Sequence, residues 1–239
     1  MENAARRPRV AVVTGASQGI GAGLVEAYRG LGHAVVAASR TIAPSDEADL
    51  LTVRGDVADH LAAERIVAAA LDRYGRIDTL VNNAGRFIGK PFTEYTRADY
   101  EAVTAVNLGG FFHLTQLAVR QMLIQGGGHI VQVTTSLVDH PRSAAPALLA
   151  SLTKGGLQAA TRALAVEYAA HGIRVNAVSL GVIRTFPNAD ADREALAGLH
   201  PLGRMGEVGD VVDAVVFLEN APFVTGEILH VDGGQSAGH

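Results

Sequence analysis

Thr14-Gly15-Ala16-Ser17-Gln18-Gly19-Ile20-Gly21 is the stretch whose reading decides the fold. The β-branched apolar run Val10-Ala11-Val12-Val13 precedes it, and helical spacing follows at Ile20, Leu24, Ala27, Tyr28 and Leu31. A strand feeding a glycine-rich turn that opens a helix leaves backbone N–H groups free at the positive end of the helix dipole. A pyrophosphate is received there. Gly15 permits the tight turn, Gly19 lets a ligand approach the backbone, and Gly21 lets helix and strand pack closely. The spacing, G-x-x-x-G-x-G, differs by one residue from the common G-x-G-x-x-G dinucleotide fingerprint. A glycine-rich connection without a ligand has the same local signature, so the remainder of the chain must separate the two.

Working outward, a second strand is expected at Ala34–Ala38, ending in Ser39-Arg40 about 20 residues past the glycine turn. An acidic side chain at that place would hold a ribose 2′-hydroxyl, whereas a guanidinium suits a 2′-phosphate. Arg40 therefore favours NADP(H) over NAD(H), the other reading being a solvated arginine at a strand end. Residues 41–49, with Pro44, are too short and broken for a helix. Leu50–Arg54 is the third strand, closed by Gly55-Asp56-Val57. Asp56 can accept from an adenine amino group or cap the helical segment that carries Leu61, Ile66, Val67 and Leu71 and stops at Gly75. Ile77–Val81 is the fourth strand. Asn82-Asn83-Ala84-Gly85 after it is either plain turn chemistry or a tie between neighbouring strands that floors a nucleotide site.

Arg97–Gln125 reads as one long helical region broken near Ala105, with Asn107 inside its apolar stretch. A buried amide needs partners, so Asn107 is a satisfied kink residue or a member of a functional hydrogen-bond chain. His113, further along, reads as core or interface. A fifth strand runs over His129–Val133, followed by Thr134-Thr135-Ser136, and a helix over about Ala147–Ala170 carries Lys154. Gly155-Gly156 beside it offers close approach to a neighbouring subunit or strand. The sixth strand is Ile173–Val178, followed by Gly181, Ile183 and Thr185. Residues 189–206 are short-helical and loop-like, a helix covers Val208–Leu218, and Glu227–Val231 is the last strand. This alternation, without linker or repeat, indicates an α/β, doubly wound parallel sheet with helices on both faces, as a single domain over residues 1–239.

Bulk composition agrees. The 239 residues are 48% apolar, include 27 glycines and carry a net charge of −4, with no basic tract to attract nucleic acid or a membrane surface. No cysteine is present, which excludes disulfides and thiolate chemistry, and no metal-ligand spacing is visible. No signal peptide and no apolar run near the roughly 20 residues of a bilayer span can be read, so a cytoplasmic location is expected by default.

In this order the motifs resemble the short-chain dehydrogenase/reductase family along nearly the whole chain. The matching pieces are Thr14-Gly15-x-x-x-Gly19-x-Gly21, Asp56-Val57, Asn82-Asn83-Ala84-Gly85, Asn107, the Gly-x-Ile-Val strand at 128–131, Lys154, Asn176, Gly181, Thr185 and Val231-Asp232-Gly233-Gly234. The resemblance implies a Rossmann-type sheet of about seven strands, a nicotinamide cofactor at the strand carboxyl ends, a small-molecule substrate, and usually a homotetramer built through two long helices. It places the glycine turn (Gly15, Ser17, Gln18, Gly19, Ile20, Gly21) on the cofactor with Ser39 and Arg40. Asp56 and Val57 go to adenine, and Asn83, Ala84 and Gly85 to the neighbourhood of the adenosine ribose. Lys154 goes to the nicotinamide ribose, and Gly181, Ile183 and Thr185 to the carboxamide or phosphates.

The family's chemistry is hydride transfer between nicotinamide and a carbonyl or alcohol carbon. A tyrosine moves the proton, a lysine four residues later lowers its pKa, a serine orients the carbonyl and an asparagine anchors a relay water. The tyrosine pattern Tyr-x-x-x-Lys here reads Ala150-Ser151-Leu152-Thr153-Lys154. The hydroxyl slot falls on Thr135, with Ser136 one residue later on another side, and Leu180 stands where the family generally has proline. Asn107, Thr135, Ser136 and Lys154 are thus the candidate catalytic residues. Loss of a general acid costs about 10²–10⁴-fold. Two readings follow: an NADP(H)-dependent oxidoreductase with a substituted proton donor, or a catalytically silent dinucleotide-binding subunit. Candidate donors are Ser136, His140, Ser143, Ser151, an acidic group of the substrate, or a water held by Asn107 and Lys154. Isomerisation or elimination with bound cofactor has the same sequence signature as the first reading. The 139–146 loop and residues 186–206 are expected to border the substrate.

Overall fold

The valine run forms β1 (Val10–Thr14), in which every residue is buried. Burial on both faces is why it reads as a continuous apolar stretch and not as an alternation. A computed structural model describes residues 8–143, 145–185 and 193–238. After β1 come α1 (Gly19–Gly30), β2 (Ala34–Ser39), β3 (Leu50–Arg54), α2 (His60–Tyr74), β4 (Thr79–Asn82), α3 (Arg97–Thr104) and α4 (Gly110–Gln125). The second half adds β5 (Gly128–Thr135), α5 (Leu148–Tyr168), β6 (Ile173–Leu180), β7 (Ile183–Arg184), α6 (Arg193–Ala197), β8 (Gly206–Glu207), α7 (Val208–Asn220) and β9 (Ile228–Val231). Seven strands make one sheet in the order β3-β2-β1-β4-β5-β6-β9, and each neighbouring pair is parallel. Chain direction across the sheet reverses between β1 and β4, which opens a crevice at their carboxyl ends.

Alternate side chains feed two cores. Val13, Val81 and Val131 meet Leu24, Tyr28, Val211 and Val215 of α1 and α7 on one face. On the other, Val12, Leu80, Ile130 and Val175 meet Ile66 of α2, Leu114 and Met122 of α4 and Ala165 of α5. At about 25 cal/mol per Å² of apolar surface removed from water, these layers dominate the stabilisation.

Several boundaries differ from the sequence reading, each for a local reason. β4 begins at Thr79 and not at Ile77, because the Gln125 side chain takes both the Ile77 N–H (3.2 Å) and its carbonyl (2.6 Å). β5 and β6 both run on to Thr135 and Leu180, pairing with each other throughout. The cap of α2 is Asp59, which accepts from Leu61 N at 3.0 Å, while Asp56 accepts from Ala58 N one turn earlier. Gly75 stops α2 in the left-handed region, as expected. The break near Ala105 is a π-helical turn, Ala105–Gly109, joining α3 to α4. The joined run Arg97–Gln125 has the length and apolar content of a bilayer span, more than the sequence reading allowed, and it packs against α2 and α5. A Cβ on Gly155 or Gly156 would meet Val138 at 3.5 Å or Leu108 at 3.6 Å, so none of the described residues approaches them closely. The β7–β8 pair, a separate two-stranded parallel sheet that the sequence reading did not contain, brackets the segment 189–206 read as helical and loop-like.

At the amino edge of the large sheet a buried polar cluster surrounds Glu219 of α7. Its Oε2 accepts from Thr79 Oγ1 at 3.0 Å, Tyr28 Oη at 3.2 Å and His129 Nδ1 at 2.9 Å. His129 Nε2 then accepts from Asn176 Nδ2 at 3.2 Å, a tautomer assignment that closes the network. Burial pushes the His129 pKa down, keeping the ring neutral. Burial alone would raise the Glu219 carboxyl, but the hydrogen bonds from His129 and Thr79 outweigh it and bring it to about 2.

Candidate active site

A cleft of about 650 Å³ opens at the carboxyl edge of the sheet over the β1–β4 reversal. It is lined by Gly15, Ser17, Gln18, Gly19, Ile20, Gly21, Ser39, Arg40, Asp56, Val57, Asn83, Ala84, Gly85 and Thr185, all of them singled out from sequence. Thr41, Gly55, Arg86 and Val106 complete the wall. Sequence reasoning passed over these four, although each adjoins a residue it named or lies in the turn beside one.

The glycine turn owes its shape to two positions. Gly15 has φ +64°, and a Cβ there would stand 2.9 Å from Asn83 Nδ2. A Cβ on Gly21 would overlap the Gly15 carbonyl oxygen, so helix and turn close on each other only without a side chain. Gly19 also takes a positive φ, and a Cβ there would press on Thr185. The turn is fixed from below by β4. Thr14 Oγ1 accepts from Asn83 N (3.1 Å) and Ala84 N (3.0 Å), and Asn83 Nδ2 donates to the Thr14 carbonyl at 2.8 Å. Asn83 therefore ties the end of β4 to β1 and its turn, whereas Asn82 ties β4 to a helix, its Nδ2 donating to Thr115 Oγ1 of α4 at 2.9 Å.

No side chain caps α1 at Gln18, and its first turn holds no acidic residue. Its leading N–H groups have no helical acceptor, so they face the cleft as donors at a positive dipole end. A dinucleotide pyrophosphate fits that set of donors. At the far wall Ser39 Oγ accepts from Thr41 N at 3.2 Å. The exposed Arg40 guanidinium lies 4.0 Å from an Asp56 carboxylate oxygen.

The catalytic candidates gather at the other end, beyond Gly85. The place of a Cβ on Gly85 lies 3.3 Å from Lys154 Nζ and 3.6 Å from Asn107 Oδ1. Asn107 sits in the π-helical turn, its amide fully used: Oδ1 accepts from Arg86 N (2.8 Å), and Nδ2 donates to the Arg86 carbonyl (3.1 Å) and Thr153 Oγ1 (3.0 Å). Asn107 is thus a satisfied residue of the kink, and it rivets the Arg86 backbone to α5. Lys154 Nζ donates to the Val133 carbonyl at 2.7 Å, and burial lowers its pKa to about 8. Thr135 is half-buried, its Oγ1 accepting from Leu137 N at 3.4 Å, whereas Ser136 is buried. Ala150 is buried one helical turn before Lys154.

Not every candidate joins the main cleft. Thr135, Ser136 and Lys154 lie past its wall, and Gly181 and Ile183 line a neighbouring pocket of about 190 Å³ with His200. His200 Nε2 accepts from Val182 N at 3.0 Å, a contact no local pattern announced. Of the substrate border, Arg142 Nη2 reaches across to the Leu199 carbonyl at 2.9 Å, and residues 144 and 186–192 lie outside the described residues.

A parallel sheet with an uncapped helix start, a glycine turn and a cleft at its reversal point defines a dinucleotide-binding α/β protein. Residues 15–236 match the family model described as enoyl-(acyl carrier protein) reductase. The L-xylulose reductase of Bos taurus is 36% identical over 239 residues, covering 95% of this chain and 96% of that one. The 3-ketoacyl-(acyl-carrier-protein) reductase of Brucella melitensis complexed with NADH superposes with a TM-score of 0.88 at 28% identity, covering 95% of this chain and 98% of that one. ElxO with NADP bound gives 0.89 at 26% identity over 97% and 100%. The chain belongs to the short-chain dehydrogenase/reductase family, oxidoreductases of carbonyl and alcohol substrates.

Proposed function

We propose that the protein is an NADP(H)-dependent oxidoreductase of a carbonyl or alcohol group that works without a tyrosine proton donor. One observation carries the reading: a cleft with a glycine turn and an uncapped helix start is built, yet Ala150 stands a helical turn before Lys154, the lysine just past its wall. None of the chain's five tyrosines supplies a substitute. Tyr28 is bound to Glu219, Tyr74 to the Ala48 carbonyl and Tyr95 to the Ile88 carbonyl, while Tyr100 lies exposed on α3 and Tyr168 ends α5.

When bound, the dinucleotide supplies or accepts hydride at its nicotinamide. Around it, the leading amides of α1 hold the pyrophosphate, Asp56 and Val57 flank adenine, and Asn83, Ala84 and Gly85 support the adjoining ribose. Arg40, at a strand end with no carboxylate of its own strand beside it, takes the 2′-phosphate. Lys154 holds the second ribose, Gly181, Ile183 and Thr185 border the carboxamide, and the Thr135 hydroxyl orients the substrate oxygen, with buried Ser136 shaping the strand end beneath it. By family membership the subunits assemble as a homotetramer, and by default they work in the cytoplasm. The test is a paired NADPH and NADH titration followed by single-turnover hydride transfer to a panel of carbonyl compounds. Tighter NADPH binding with turnover is expected. Equal affinity for the two removes the Arg40 assignment, and saturation without turnover removes the enzyme.

Ala150 also favours a second reading, a catalytically silent dinucleotide-binding subunit. That protein would bind NADP(H) tightly, give no turnover and co-purify with an active partner.

A further inference from the structure

Ala150 and Lys154 lie four residues apart on α5 and so share one helix face. Where the side chain of residue 150 ends at a methyl group, the next polar group along that face is the Lys154 ammonium. Two hydroxyls beside it on α5 have their protons committed. Ser151 Oγ donates to the Leu137 carbonyl at 3.0 Å, and Thr153 Oγ1 to the Leu149 carbonyl at 2.7 Å. The Asn107 amide is spent on Arg86 and Thr153. An ammonium has three donors, and Lys154 uses one of them on Val133, with no carboxylate paired to it among the described residues.

Composition points the same way. The chain has 20 basic residues, of which only Lys90 and Lys154 are lysines. Lys90 is paired with Asp99 at 2.6 Å. Arginine cannot release a proton in the working range, whereas a desolvated lysine can. A positioned acid works best when its pKa is close to the operating pH.

Resting on the oxidoreductase reading, we propose that Lys154 is itself the proton donor, its ammonium, beside Gly85 of the cleft wall and one helical turn from Ala150 on α5, protonating the substrate oxygen. As hydride from a reduced nicotinamide dinucleotide reaches the carbonyl carbon, the C=O π pair moves onto oxygen. One Nζ–H bond breaks and one O–H bond forms. The lysine, left as a neutral amine, takes a proton from water before the next turnover, and alcohol oxidation runs the same steps in reverse. Burial without a counter-charge, which brings the group to about 8, suits it to both directions.

With two lysines and no cysteine in the chain, the test is clean. In cofactor-free protein labelled with ¹³C-lysine and assigned through Lys90→Arg, the Lys154 ε-carbon resonance is expected to titrate near pH 8. A midpoint above about 10, the ordinary lysine range, overturns the proposal. Lys154→Arg keeps a cation at the site, and hydride transfer from saturating NADPH is expected to fall at least about 100-fold, the low end for a lost general acid. Transfer retained at the wild-type rate overturns the proposal while leaving the oxidoreductase reading intact. Lys154→Cys treated with bromoethylamine restores an amine one sulfur different, whose thioether lowers its basicity. The pH–rate midpoint should move down with it, and an unmoved midpoint assigns the proton to another group. Wild-type protein that binds NADPH but reduces nothing overturns both proposals together.

Discussion

At the carboxyl edge of the sheet, the leading N–H groups of α1 and the exposed Arg40 guanidinium line the open cleft, and Lys154, past its wall, spends one donor on the Val133 carbonyl. At the amino edge, Glu219 alone collects Thr79, Tyr28 and His129 within 3.2 Å, and His129 passes the chain on to Asn176. The same strands carry both edges. Polar groups at one end are satisfied by each other, and polar groups at the other are held waiting for a ligand. A network closed on itself stabilises the fold, while donors without partners cost stability until something binds.

The largest expected effect lies at the closed edge. Glu219→Ala leaves two hydroxyls and an imidazole N–H without an acceptor and should cost about 3–5 kcal/mol by urea unfolding, with NADPH affinity of the folded protein unchanged. The acid limb of stability belongs to the same cluster. His129 lies below its ordinary 6.5 and Glu219, at about 2, below its ordinary 4.5. Both therefore stabilise fully above those unfolded values and lose their contribution as pH falls toward the folded ones. Wild-type unfolding free energy should fall on acidification below about 6.5; in the variant the Glu219 share below about 4.5 disappears, while the His129 share persists because Glu219 had been holding that imidazole's pKa up.

At the open edge, Ala150→Tyr places a phenol over Lys154. Single-turnover hydride transfer should rise about 10²-fold, the lower end for an added general acid because a proton source is already present. An unchanged rate would show that Ala150 is not what limits the site. Arg40→Ala should weaken NADPH about tenfold, the loss of one charge-assisted contact, and leave NADH untouched. Fluorescence titration reads both. Asp59→Ala, on a helix end belonging to neither edge, should cost only about 1 kcal/mol, setting the scale for an ordinary surface loss.

The open edge was the legible one. Its glycines, Asp56, Asn83 and Arg40 sit in short local patterns, each beside the strand that positions it, so reading strand and turn together located the cleft wall. The closed edge was not legible, because Tyr28, Thr79, His129 and Glu219 come from four separate elements and meet only through the sheet order. A lone carboxylate inside Val215-Val216-Phe217-Leu218-Glu219 was the signal available, since charge in an apolar helix face demands partners. Two-residue strands such as β7 and β8 have too few residues for periodicity to register. The amide of Asn107 was recognised as needing partners, but the Arg86 backbone that supplies them lies in a loop with no pattern of its own.

The pairing of Ile183 with Gly206 and of Arg184 with Glu207, reinforced by a 2.6 Å ion pair, brings two distant points of the chain side by side. The stretch between them is thus clamped at its two ends, and it is pinned again near its far end, where Leu199 accepts from Arg142 and His200 from Val182 N.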